Sequence, residues 1–423
     1  MDMARIFGMP AALLVLAYVA NRLAKLTRIP DLIVLLVIGV SMGPVFHLVN
    51  PDLFRGAISI LGTLALILIL FEGGLELRLR HALGSFPAGL LLVATSFGLS
   101  LVLVALIGRA LLHLAWNDCL LLGAALGCTS GAVVIPSLQQ IETPEPVKTT
   151  LTIEASLGEI LAVLVVGSLL NTSGSASALI AGMAVDFGHH IGVAIGFGLV
   201  AGAIWSRLWP LIAGQAYSNI LNLGVVLGLY ASARYFEGSG LLTVLIFGVT
   251  LSNLPRTPHM ARQGARLLAF HAELSFLVRS FFFVMLGVVA EVVSRDHIVP
   301  ILGILAGLLL ARLLSVQLSR WAVRGVDRKD TSLLFWMMPR GLVTAVLALE
   351  IVAARGPIFS FLPAMAFTVI LITNVLIIWG SIRAGSSPAL DLAAPEHAAG
   401  AQQIRVAAPQ PAMAVAEAAA GDQ

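Results

Sequence analysis

Apolar runs of membrane length recur along this chain from residue 4 to residue 382, and that recurrence leaves few folds open. A helix needs roughly 20 apolar residues to span a bilayer, and inside lipid its backbone polar groups must be satisfied within the segment. Thirteen such spans are expected, at 4–24, 31–49, 56–77, 86–112, 118–138, 148–170, 181–206, 217–235, 238–253, 265–292, 298–318, 331–354 and 358–382. Only 11% of the residues are charged, against roughly 25% in soluble domains. The short alternating segments of a β-barrel do not appear. The sequence therefore predicts an all-α polytopic membrane protein. The first run, "GMPAALLVLAYVA", has no small-residue cleavage site and passes straight into "NRLAK". It reads as a spanning helix rather than a signal peptide.

Lysine and arginine orient the spans, because they concentrate in cytoplasmic loops. Fifteen fall in one set of loops and six in the other. That bias puts the N-terminus outside and the C-terminus in the cytoplasm of an inner (plasma) membrane. Residues 1–383 are expected to form the transmembrane domain. Residues 384–423 are Ala- and Pro-rich, which suits a disordered cytoplasmic tail that cannot bury a core. The net charge of +3 follows this topology and gives no reason to expect a nucleic-acid partner. Cys119 and Cys128 share one apolar segment without metal-ligand spacing and read as small core residues. There is no H-E-x-x-H pair and no Ser–His or Cys–His set at a plausible depth, so neither an enzyme nor a cofactor is expected.

Two spans are punctuated near their centres. The fifth reads "GCTSGAVVIP", with Thr129, Ser130, Gly131 and Pro136; the twelfth reads "MMPRGLVTA", with Pro339, Arg340 and Gly341. With the seventh span as a linker, these are the fifth members of two sets of six helices, 1–6 and 8–13. Interrupted helices at matching places in two halves point to an inverted-repeat transporter with its site near the midplane.

Charges inside the spans narrow the site. A charged side chain at the bilayer centre costs about 2.5–3.5 kcal/mol on insertion scales, so each needs a partner or a function. The sixth span carries Glu154 and Glu159 in "TIEASLGEILAVL". Five residues of α-helix turn through about 140° and rise about 7.5 Å, so a straight helix sends the two acids to different places. Thr152, Ser156 and Glu159 share a face, suited to a desolvated cation. Arg312, mid-span in the eleventh helix, is the natural counter-charge for Glu154, a pair whose task is packing and register. Glu159 is left as the ion- and proton-binding group. Arg340 is expected to meet backbone groups opened by the broken twelfth helix, in a structural role rather than in contact with substrate. Arg279 either snorkels to the interface or forms part of a gate, and Glu72 is placed to line a funnel at the cytoplasmic mouth.

Taken together, "IPDLIVLLVIGVSMGP", "LILFEGGLEL", "GCTSGAVVIP", "TIEASLGEI", "ELSFLVRSFFFVMLG" and "MMPRGLVTAVLAL" resemble the sodium/proton exchanger family of the cation:proton antiporter superfamily. The resemblance covers essentially residues 4–383. It implies a homodimer of thirteen-helix protomers, with dimerisation helices and a mobile six-helix core interleaved. It further implies crossed, discontinuous helices five and twelve and elevator-like alternating access. The family's Asn-Asp or Asp-Asp pair falls on Gly158 and Glu159, its Thr-Asp on Thr129 and Ser130, and its buried ion pair on Glu154 and Arg312. Glu159 then binds either H⁺ or a monovalent cation, Na⁺ or K⁺, with oxygens from Thr129, Ser130 and Ser156 replacing the hydration shell. Trading one cation for one proton is electroneutral. The alternatives are a potassium efflux pathway of the same superfamily, or a degenerate member with altered substrate.

Overall fold

The computed structural model describes the chain from Met3 to Arg383, apart from residues 28–30, 50–54, 78, 140, 142, 172–175, 213, 254–257, 291–293 and 321–327. The expected tail, 384–423, lies outside the described residues. Fifteen α-helices account for nearly all of them: α1 (Met3–Thr27), α2 (Asp31–Val40), α3 (Arg55–Glu76), α4 (Leu79–Leu111), α5 (Trp116–Gly127), α6 (Gly131–Gln139), α7 (Glu145–Asn171), α8 (Ala176–Ile212), α9 (Ser218–Tyr235), α10 (Gly240–Asn253), α11 (Pro258–Val288), α12 (Ile298–Ser319), α13 (Arg328–Trp336), α14 (Leu342–Arg355) and α15 (Leu362–Arg383). Among the described residues, nine helical segments are long and apolar enough to cross a membrane. Shorter apolar helices cover Pro10–Leu23, Asp31–Val45 and Gly240–Asn253. The punctuated stretches 118–138 and 331–354 are the two that break, into α5/α6 and α13/α14.

The helices pack as two groups. In one, α11 lies along α2 and α3, and α10 lies against α3, α8 and α9. In the other, α4 packs on α5, α7 and α12, while α14 packs on α15, α7 and α5. Helix α3 meets α6, α7 and α14 across the boundary. The first group is tied by close backbone approaches. A Cβ on Gly287 of α11 would lie 2.8 Å from Gly39 Cα of α2, and one on Gly248 of α10 would lie 3.1 Å from Gly74 Cα of α3. Only glycine permits helices to approach this closely.

A polar chain also crosses this group. Trp205 Nε1 donates to Asn222 Oδ1 at 2.8 Å, and Asn222 Nδ2 donates to His271 Nε2 at 3.1 Å. The His271 ring stands edge-on to Phe71, 4.7 Å between centroids. Helices α8, α9, α11 and α3 are thereby held in one register.

Candidate functional site

Both helix breaks leave backbone groups without intrahelical partners, and the two breaks satisfy part of this need in each other. After α5 the chain turns extended at Cys128 (φ −81°, ψ 143°) before α6 begins. Ser130 N donates to Pro339 O in the second break at 2.8 Å. A Cβ on Gly341 would run into the Ser130 side chain, so the crossing requires glycine there. Helix α15 fixes the second break from behind. Arg340 N donates to Thr373 Oγ1 at 3.0 Å, and Asn374 Nδ2 donates to Arg340 O at 2.8 Å.

Glu159 meets this crossing from α7. Its Oε1 accepts from Gly131 N at 2.9 Å and from the Ser130 hydroxyl at 3.3 Å. The carboxylate therefore sits on the N-terminus of α6, where free N–H groups and the helix dipole favour an anion. Glu159 is 1% exposed. Among the described residues its Oε2 has no hydrogen-bond partner and no basic side chain pairs with it.

Glu154, also buried, is held differently. Its Oε1 accepts from Arg312 Nη1 and from Thr129 Oγ1, each at 2.8 Å. Arg312 further donates to Ser96 Oγ (3.2 Å), Leu334 O (2.9 Å) and Met337 O (2.8 Å). The last two are carbonyls at the C-terminal end of α13, the end of a helix that favours a cation. Arg340 Nη1 donates to Thr129 Oγ1 at 3.3 Å. Glu154, Glu159, Arg312 and Arg340 would carry no net charge with all four ionised.

Of the residues singled out from sequence, Glu159, Ser130, Thr129, Glu154, Arg312 and Arg340 thus come together. The five-residue offset does separate the two acids, yet both end on the same break. Past the extended Cys128, Thr129 meets Glu154 and Ser130 meets Glu159. The Thr129 hydroxyl is consequently committed to Glu154 and Arg340 rather than to Glu159. Ser156 is buried beside the cluster, its Oγ unpartnered and 4.0 Å from where a Cβ on Gly73 of α3 would stand.

Arg279 reaches the first turn of α6 from α11 rather than either acid. Arg279 Nη2 pairs with Asp31 Oδ2 at 2.8 Å, and its Nη1 donates to Ala132 O at 3.1 Å. Glu72 is half-buried near Ser275 and within electrostatic reach of Arg279. Sequence reasoning missed Asp31, which reads as an ordinary acid in the first turn of an apolar helix. It also missed Thr373 and Asn374, whose only signal is a polar pair within the otherwise apolar "VILITNVLII".

The transmembrane model of the sodium/hydrogen exchanger family matches residues 11–382. The chain belongs to this family. Among its relatives is a protein named K(+)/H(+) antiporter NhaP from Alkalimonas amylolytica, 30% identical over 87% of this chain and 64% of its own length. The K(+)/H(+) antiporter NhaP2 of Shewanella sp. (strain MR-4) is 27% identical over 74% of this chain and 55% of its own. The chain thus spans under two thirds of the length of these relatives. Na(+)/H(+) antiporter 1 of Methanocaldococcus jannaschii is 26% identical over 83% of this chain and 84% of its own. The solved structure of the sodium proton antiporter MjNhaP1 from that organism, at pH 8, superposes with a TM-score of 0.74 at 24% identity. It covers 90% of this chain and 100% of that one. This chain shares its all-helical membrane fold.

Proposed function

We propose that this exchanger-family chain trades a monovalent cation, Na⁺ or K⁺, for a proton by alternating access, with Glu159 as the group for which the two ligands compete. The carrying observation is Glu159 itself: a buried acid that, among the described residues, has no basic partner, one oxygen held by the N-terminus of a broken half-helix and the other without a donor. An acid retained in a spanning helix at such cost marks an ion pathway. The names of the relatives, K⁺/H⁺ and Na⁺/H⁺ antiporter, support the same class.

Ser130 and Ser156, with backbone oxygens of the breaks, supply the remaining cation ligands in place of water. Thr129 acts through Glu154, and the Glu154–Arg312 pair with Arg340 is the frame that fixes the crossing. One carboxylate releasing one cation as it takes up one proton moves no net charge, so exchange is electroneutral. The breaks support thirteen spans arranged as an inverted repeat, 1–6 and 8–13. The packing groups support a mobile core, α4–α7 with α12–α15, working against a dimerisation scaffold. The protein is then a homodimer in the inner (plasma) membrane with its N-terminus outside, as the loop charges favour.

The test is dequenching of a pH dye in proteoliposomes on adding Na⁺, K⁺ or Li⁺, with wild type and with Glu159→Gln. Glutamine keeps the shape but cannot hand over a proton, so exchange is expected to vanish. Exchange by Glu159→Gln at the wild-type rate would sink the assignment. In wild type, acidification is expected to raise the half-saturating cation concentration while leaving the maximal rate unchanged, the signature of competition. Electroneutrality predicts no sustained current on a solid-supported membrane after a cation jump.

A further inference from the structure

Pro136 lies inside α6, and proline has no N–H with which to bond the carbonyl four residues back. That carbonyl belongs to Ala132, next to the Gly131 whose N–H holds Glu159. Ala132 is buried, and a buried carbonyl needs a donor. The donor comes from another helix. Arg279 Nη1 of α11 reaches Ala132 O at 3.1 Å, while its Nη2 is held by Asp31 at the start of α2 at 2.8 Å. Helices α2 and α11 pack together in one group, whereas α6 packs on α7 in the other. The guanidinium therefore bridges the two groups at the half-helix that carries the Glu159 donor.

We propose that Pro136, Arg279 and Asp31 form a latch between the scaffold and the mobile core, holding the Glu159 site closed. The proposal rests on the alternating-access reading above. Helix α6 cannot move relative to α11 without giving up this bond, and Glu159 is 1% exposed while the bond is made. Asp31 orients the planar fork so that its other nitrogen meets the carbonyl. Arg279 is thus a positioning residue and does not touch the transported ion. A cation must wait for release, so the latch lowers apparent affinity by the fraction of molecules that are open.

A double-mutant cycle tests this. Pro136→Ala puts an N–H back opposite the Ala132 carbonyl and leaves every charge in place, whereas Arg279→Gln removes the external donor. Each single change is expected to lower the half-saturating Na⁺ or K⁺ concentration by about three- to tenfold, within the range of ordinary coupling between sites. The shift is read both in the exchange assay and in cation-dependent melting of the purified full-length protein. The double variant is expected to go no further than the stronger single. Asp31→Asn moves the same way by less. Arg279→Lys, which keeps a charge but has no fork, takes the place of Arg279→Gln in the cycle if that variant does not accumulate. Additive effects, or Pro136→Ala behaving as wild type while the Arg279 variant shifts, would overturn the latch alone. Absence of both exchange and cation-dependent melting in wild type would overturn the antiport reading and the latch with it.

Discussion

Replacing Arg312 by methionine tests what holds the crossing together. The substitution keeps much of the buried volume but removes four donors at once, to Glu154, Ser96, Leu334 and Met337. Glu154, 2% exposed, would then be a buried carboxylate with Thr129 as its sole remaining donor among the described residues. Breaking a buried pair by removing one partner costs about 3–5 kcal/mol. The Leu334 and Met337 carbonyls lose their donor as well, and a buried group left unsatisfied costs about 1–3 kcal/mol. The expected loss is therefore about 5 kcal/mol or more, enough to lower the melting temperature by roughly 10 °C. Adding Glu154→Gln removes the stranded charge, since glutamine can still accept from Thr129. It does nothing for Leu334 and Met337. The double variant should accordingly recover about half of the loss and no more. Melting in detergent, followed by the monodisperse fraction on size exclusion, reads both effects. Arg312→Met melting with wild type, or a double variant no better than the single, would refute the reasoning.

The two neighbouring hydroxyls should separate by assay. Thr129→Val deprives Glu154 of a donor and Arg340 of an acceptor, so it should cost about 1–3 kcal/mol of stability, read by melting, with little change in the half-saturating cation concentration. Ser130→Ala removes one of two donors to Glu159 Oε1; it should shift the half-saturating cation concentration in the proteoliposome assay and leave melting near wild type. Gly341→Ala drives a Cβ into Ser130 and should abolish folded yield. Gly158→Ala should express and exchange like wild type, because its Cβ would meet Val93 Cγ2 at 3.6 Å and Thr129 N at 3.9 Å, ordinary contact distances.

Much of this protein follows from sequence alone, because the membrane imposes local requirements. A spanning helix must satisfy its own backbone, so its length and its interruptions are written in consecutive residues. The breaks in 118–138 and 331–354 are legible for that reason. The Glu154–Arg312 pair is legible for a related one: a charge in the bilayer needs a partner, and few candidates exist. Tertiary structure decided what direction and proximity control. Which acid receives Thr129 and which receives Ser130 depends on the backbone angles of a short extended stretch, and no composition encodes that. Pro136 announces an open carbonyl in the sequence but not its donor. Any N–H within reach could fill that carbonyl, and only the packing of α11 on α2, with α6 alongside, puts the guanidinium of Arg279 there.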